Sequence, residues 1–312
     1  MASIATLLTI AAGFTQSLAL DAPTKPAIDP AFDMQGKISS GITQHLASTA
    51  HNISVWAHGW IPESCKIMGE SEGYPASSFD VFQVAYADCD QPWIMCRQKE
   101  SKTKVEEMAE VFGKIPLGMR EYNAHLISVP EFSSGWAALT QGASTMLRDG
   151  VWHWSNVLVH EVTHSVDAFA HLPVAPDGLS TSQVWRDNYS QDRATISDYG
   201  RANWFENLAE TAAPALYNLI VPGGLKPVQP NFTQVFHQYA TFQTYYRDIM
   251  TPGSKTMCTY RQNNSAPVPM DGTSREFVPP PDTSINSRIA ILKPGPLKSE
   301  IYHYEAQFFC KL

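Results

Sequence analysis

His160-Glu161-Val162-Thr163-His164 is the stretch whose reading decides this chain. Each residue of an α-helix advances about 100°, so positions four apart stand on one face, one turn up. Two imidazoles placed that way reach a single zinc ion at about 2.0–2.1 Å each. Glu161 sits about 100° round the helix, able to touch a water on such an ion without being one of its ligands. The chain has 10 histidines in 312 residues, and at that frequency the pattern arises by chance in about one or two chains per hundred. Its flanks, Ser155–Val159 and Ser165–Phe169, hold neither Gly nor Pro, and Ser155 is placed to cap the helix. Val157, Leu158, Val159, Val162, Val166 and Phe169 make it apolar nearly all round, hence buried. Two histidines and a glutamate inside a buried helix need a partner, such as a metal ion.

A catalytic zinc has three protein ligands and keeps one position open. His160 and His164 supply two. A third histidine six positions on is absent, because Ala170 stands there, and no Gly-Thr-x-x-Asp follows. Two candidates remain for the third ligand. Glu206, in Glu206-Asn207-Leu208-Ala209-Glu210, is preferred, and Asp177, 13 residues after His164, is the alternative. Glu206 also has a plainer explanation: Asn203 is a good helix cap, and Glu206 then fills the third place of a capping box.

Residues 1–19 carry no charge; Ile4–Phe14 form an apolar run and Ser17-Leu18-Ala19 a small-x-small cleavage site, so a secretory signal is expected. Residues 20–312 then form a single catalytic domain, with one lobe over about 20–171 and another over about 172–312. The formal charge of −8, with no basic run, argues against nucleic acid or an anionic membrane as partner. No second segment has the length and apolarity of a membrane span. N-x-S/T sequons at Asn52, Asn188, Asn231 and Asn263 fit a secreted glycoprotein. Of the five cysteines, Cys89 and Cys96 are expected to close a short loop and Cys258 to join Cys310, leaving Cys65 over.

Local patterns fill in the fold. Residues 20–50 read as a Pro-punctuated arm with a short amphipathic stretch around Ile38–Leu46. Val81–Ala87 and Pro92–Arg97 read as paired strands, and His125–Pro130 as another strand. Thr103–Phe112 has helical spacing with Gly113 as its stop. After a loop near Pro173–Ser182, helices are expected over Trp204–Ala213 and Phe232–Met250, then an irregular stretch over 264–296 and a final strand over Tyr302–Cys310. His58, His125 and His237 stand alone and read as packed or surface residues. The class is α+β: a small sheet packed on a buried H-E-x-x-H helix, with a mainly helical C-terminal lobe.

Two blocks carry a resemblance. His160-Glu161-Val162-Thr163-His164-Ser165-Val166-Asp167, followed by Ser197 to Glu210 with Tyr199-Gly200-Arg201-Ala202-Asn203 and Glu206 to Glu210, resembles the catalytic domain of anthrax lethal factor and the related Pro-Pro endopeptidases. The resemblance implies a zincin-like metalloprotease fold of gluzincin type, with Glu206 as third ligand and Tyr199 facing the substrate carbonyl. It further implies Glu210 as a supporting partner around the ligands and Asp167 as a structural hydrogen-bond acceptor. Thr163 replaces the family's usual Gly and Leu208 an aromatic, so cleavage preference is not carried over. Asp88-Cys89, Trp93 and Cys96-Arg97, with the signal and the overall length, are also similar to secreted conidiation-specific proteins of filamentous fungi.

The expectation is a secreted zinc-dependent metalloendopeptidase acting on a peptide or protein substrate, with Zn2+ as cofactor and Glu161 as general base. The alternatives are an inactive zinc-binding secreted or cell-surface protein, with His153 or Asp177 closing the fourth position, and a protease with Asp177 as third ligand. A toxin-like effector cleaving one partner protein is a further variant.

Overall fold

The computed structural model describes residues 22–273 and 275–277, with the backbone of 307–310. The expected signal at 1–19 and most of the late Pro-rich stretch lie outside the described residues. Nine strands are described: β1 His51–Val55, β2 Trp60–Pro62, β3 Phe79–Tyr86, β4 Trp93–Gln98, β5 His125–Val129, β6 Ala138–Gln141, β7 Ser144–Arg148, β8 Pro267–Pro269 and β9 Gln307–Cys310. The helices are α1 Ser39–His45, α2 Glu63–Ser71, α3 Val105–Lys114, α4 Leu117–Arg120, α5 Ser155–Phe169, α6 Gln183–Gln191, α7 Trp204–Ile220 and α8 Phe236–Met250. The α+β class is as expected. Among the described residues no helix is long and apolar enough to cross a membrane.

Seven strands form one sheet in the order β1-β3-β4-β5-β7-β6-β9. The expected hairpin is present, β3 and β4 pairing antiparallel with Val81 opposite Cys96 and Val84 opposite Trp93. From β4 the sheet runs parallel through β5 to β7. It turns antiparallel again at β6 and β9. Successive side chains of a strand face opposite ways, and both faces here are covered. Trp93, Met95, Leu126 and Leu147 join the larger core with α3, α5, α7 and α8. Ile94, Cys96, Ile127 and Met146 face the other way, into a smaller core with α2. With both faces buried, β5 has no exposed residue at all.

Several boundaries differ from expectation. Ser155 opens α5 rather than capping it, because its hydroxyl is 2.6 Å from Thr43 Oγ1 and turned toward α1. Gly113 lies inside α3; a Cβ there would strike Ser48 and Tyr86, so close approach of the chain demands the glycine. The helix expected to end at Ala213 continues through Pro214 to Ile220. Burial of Ala212, Ala213, Ala215 and Leu216 sustains it past the one backbone bond that proline removes. Short strands β1, β6 and β7 and helices α2 and α6 went unread.

The expected disulfides are corrected. The bonds are Cys65–Cys96 and Cys89–Cys258. Cys96 sits well down the β3–β4 ladder, opposite Val81, and points into the smaller core beside Cys65. Cys89 lies beyond the end of β3 and is buried in the larger core on the other face, so the sheet itself separates it from Cys96. Backbone pairing of Cys258 N to Asp88 O at 2.8 Å brings Cys258 to Cys89 instead. Cys310 is thus the fifth cysteine, held by β9 opposite Ala138. Non-reducing peptide mapping is expected to return Cys65–Cys96 and Cys89–Cys258 as linked pairs. Cys89→Ser with Cys258→Ser, which opens a link spanning 169 residues, should lower unfolding stability by about 2–5 kcal/mol in a denaturant titration.

Candidate metal centre

Helix α5 and helix α7 cross at the site, and each contributes by its own local rule. On α5 the four-residue spacing stacks His160 and His164 on one face. On α7 the start is fixed by Asn203, whose side chain accepts from Glu206 N at 2.9 Å. The capping box is not completed, because the Glu206 carboxylate turns to the histidines. Glu206 Oε2 is 3.1 Å from His160 Nε2 and 3.5 Å from His164 Nε2, and the two Nε2 atoms are 3.2 Å apart. All three side chains are buried. A tetrahedral ion with bonds of about 2.0–2.1 Å holds its ligand atoms about 3.3–3.4 Å apart. The triangle therefore matches one face of such a tetrahedron, and the residues present fit a zinc ion.

Around this triangle stand the other expected residues. Glu161 is fully buried. Its Oε2 accepts from Thr140 Oγ1 of β6 at 2.7 Å, while Oε1 has no hydrogen-bond partner among the described residues. Glu210, one turn beyond Glu206, brings Oε1 to 2.9 Å from His160 Nδ1, close enough to pair although off the direction of a ring N–H. Glu210 Oε2 accepts from Ser197 Oγ at 2.5 Å, and Ser197 Oγ accepts from Gly200 N at 3.0 Å. That chain of bonds fixes the turn carrying Tyr199. The half-buried Tyr199 ring lies 5.9 Å from the His160 ring, centroid to centroid. Asp167 accepts from Ser180 N at 3.1 Å and Tyr246 Oη at 2.9 Å, and from Ser180 Oγ. It ties the end of α5 to α8 and to the loop before α6.

Other candidates stand apart. Asp177 and His153 are exposed and outside the donor cluster. Among the solitary histidines, His125 is buried and accepts from Ser265 N at 3.0 Å, and burial pushes its pKa down to about 3. His237 pairs with Asp192 at 2.9 Å, and His58 is exposed. Sequence reasoning missed Thr140 and Ser197. Thr140 belongs to a strand too short and polar to read, whereas Ser197, two residues before Tyr199 in an already suspicious block, was findable.

Comparison with known proteins places the chain in context. A family model described as conidiation-specific protein Con-13 matches residues 33–253, a span that includes the whole donor triangle. Conidiation-specific protein 13 of Neurospora crassa is 27% identical over 183 residues, 58% of this chain and 53% of that protein. The chain thus spans about half the length of the curated relative it matches. No solved structure matches. The likeness to conidiation-specific proteins read from the sequence is borne out.

The electrostatics of the metal-free centre follow from its burial. Desolvation alone would lower the His160 pKa, but the Glu206 and Glu210 carboxylates outweigh it and hold it well above 6.5. Desolvation would raise Glu206, yet the His164 charge and the bonds to both histidines bring it down to about 2. For Glu161 burial wins: its pKa is raised, although His160, His164 and the Thr140 bond oppose the shift. Without a cation, a proton on His160 supplies the missing positive charge. The raised His160 contributes stability that is complete below pH 6.5 and fades as pH climbs through its folded value. Glu206 contributes stability that is complete above pH 4.5 and fades as pH falls toward about 2. The metal-free pair therefore contributes most between about pH 4.5 and 6.5, where zinc must displace a proton to bind.

Two outcomes are expected from competition with a chromophoric chelator. Apparent zinc affinity should fall about tenfold per unit as pH drops from about 7.5 to 6.5, and a flat profile would remove His160 from the ligand set. Glu206→Ala should abolish tight binding and Glu210→Ala weaken it about 10–100-fold, while Asp177→Ala changes nothing.

Proposed function

This chain belongs to the Con-13 family of conidiation-specific proteins, and we propose that it is a secreted zinc-dependent metalloendopeptidase with a zincin-like catalytic domain. The observation that carries the reading is Glu161. A carboxylate is fully buried next to three metal-type donors, one oxygen held by Thr140 and the other without a partner among the described residues. A structural metal site has no use for such a group, whereas hydrolysis needs a base aimed at a water.

A zinc ion in this setting supplies Lewis acidity, polarising a carbonyl and lowering the pKa of water to about 7. Thr140 fixes the Glu161 carboxylate, and its raised pKa suits a group that takes the proton of attacking water and returns it to the leaving amine. Glu210 orients His160 through Nδ1. Tyr199, half-buried with its ring 5.9 Å from that of His160, donates its hydroxyl to the oxyanion that develops on the substrate carbonyl. Asp167 keeps α5 in place and takes no part in proton transfer.

Secretion is supported by the two disulfides and by the expected leader at residues 1–19. Exposed sequon asparagines Asn52 and Asn263 agree with it. An inactive zinc-binding protein would fill the fourth position with a side chain of its own; His153 and Asp177, the two expected for that place, are both exposed.

The test is an unbiased peptide library incubated with zinc-loaded protein and read by mass spectrometry. With a cleaved substrate in hand, Glu161→Gln should retain zinc and lose about 10²–10⁴ in turnover. Tyr199→Phe should lose about 10²–10³. Equal cleavage by wild type and Glu161→Gln would assign the activity to another site or a contaminant.

A further inference from the structure

The edge of the sheet beside the metal centre is occupied by the chain itself. β6 is the strand that touches the site, its Thr140 Oγ1 lying 2.7 Å from Glu161 Oε2 and 3.1 Å from the Glu161 carbonyl. On its inner side β6 pairs with β7. On its outer side, four residues from far downstream pair with it antiparallel, Gln141 opposite Gln307, Thr140 opposite Phe308, Leu139 opposite Phe309 and Ala138 opposite Cys310. Without β9, β6 would present a row of unpaired N–H and C=O groups, which is the standard template for adding an extended strand. That row would lie beside the strand residue that holds the buried Glu161 carboxylate.

We propose that Gln307–Cys310 is a built-in, displaceable occupant of the outer edge of β6, leaving when an extended peptide takes its place. The proposal deepens the peptidase reading and rests on it for its meaning, because it gives the chain a self-blocked state. Three features support an occupant over an ordinary sheet strand. Strands β1 and β3 to β7 of this sheet all come from residues 51–148, whereas β9 comes from beyond α5 to α8. Its ladder is only four residues long, which a peptide of similar length can match. It also lies against α5, the helix that carries His160, Glu161 and His164.

The displacement is tested on the full chain with zinc chelated, so that neither metal nor hydrolysis enters the result. The probe is a fluorescein-labelled peptide of residues 304–311 with Ser in place of Cys310, read by anisotropy. Phe308→Pro with Phe309→Pro loosens β9: neighbouring residues donate to opposite sides, so one of the two prolines removes a ladder N–H. Ala138→Cys locks β9, because position 138 and Cys310 are direct register partners, and non-reducing mapping verifies the bond. The loosened chain should bind the probe at least about tenfold more tightly than wild type, and the locked chain should not bind it. Equal binding by all three overturns the proposal, as does no binding by a loosened chain whose melting is unchanged. Should the prolines unfold the protein, hydrogen exchange on wild type decides. Amides of 307–310 should exchange far faster than those of β5 and faster still with excess probe, whereas exchange of β9 only together with β5 overturns the occupant. Probe binding by an enzyme without activity would sink the peptidase reading alone, and activity without probe binding would sink the displaceable occupant alone.

Discussion

The contact between the Glu206 carboxylate and the paired imidazoles of His160 and His164 is the constraint on which the rest of the architecture depends. It places three polar groups inside a helix-helix interface that elsewhere buries Leu158, Val162, Leu208 and Ala212. An isolated charge there would be prohibitive, so the groups must meet one another and a cation or proton. Meeting requires the phases of two helices to agree. The phase of α5 is set by its apolar surround, and that of α7 by Asn203, whose cap fixes where the first turn begins. A slip of one residue on either helix would turn a donor by about 100° and break the triangle.

Packing around the centre serves that alignment. Asp167 holds the far end of α5 to Ser180 and Tyr246. Thr195 accepts from Asn207 of α7 at 2.7 Å, and its backbone exchanges bonds of 2.9 Å with Pro26 and Ile28 of the N-terminal arm. Lys25 reaches the carbonyls of Tyr189 and Ser190 at 2.5 and 2.8 Å, where α6 ends. The arm is therefore part of the wall that positions the Tyr199 turn.

What could be read from the sequence divides along physical lines. The α5 helix was legible because apolar side chains at nearly every position leave no other way to place two histidines four apart. Glu206 was legible through the run from Glu206 to Glu210, although the cap that also explained it would have turned its side chain back to Asn203, and only the meeting with His160 and His164 overrides it. β3 and β4 announced themselves by β-branched and aromatic residues. β6 and β7 did not, since Ala138, Thr140, Ser144 and Thr145 look like loop residues until the sheet buries them. The disulfides were misread because nearness in sequence was taken for nearness in space. Cys89 and Cys96 lie on opposite faces of the sheet, and face, not loop length, decides pairing in a hairpin.

The unpartnered oxygen of Glu161 bears on the proposed function in a way the donor triangle alone does not. Burial works against ionising this carboxyl, and none of the described residues donates to its Oε1. A leucine of similar size would relieve both penalties and extend the apolar surface of α5. It would also leave Thr140, now bonded to the carboxylate and to the Glu161 carbonyl, with the carbonyl as acceptor. Nothing in the packing of α5 against the sheet therefore asks for a glutamate at this position. The two histidines do not ask for it either, since Glu206 completes their triangle and Glu210 supports His160. What remains is a carboxylate set beside a metal-type centre with one face free, on the strand edge where an extended chain can lie. Local instability of that kind belongs to sites that act on something brought to them, and a water that Glu161 can deprotonate is the simplest thing that fills the free face.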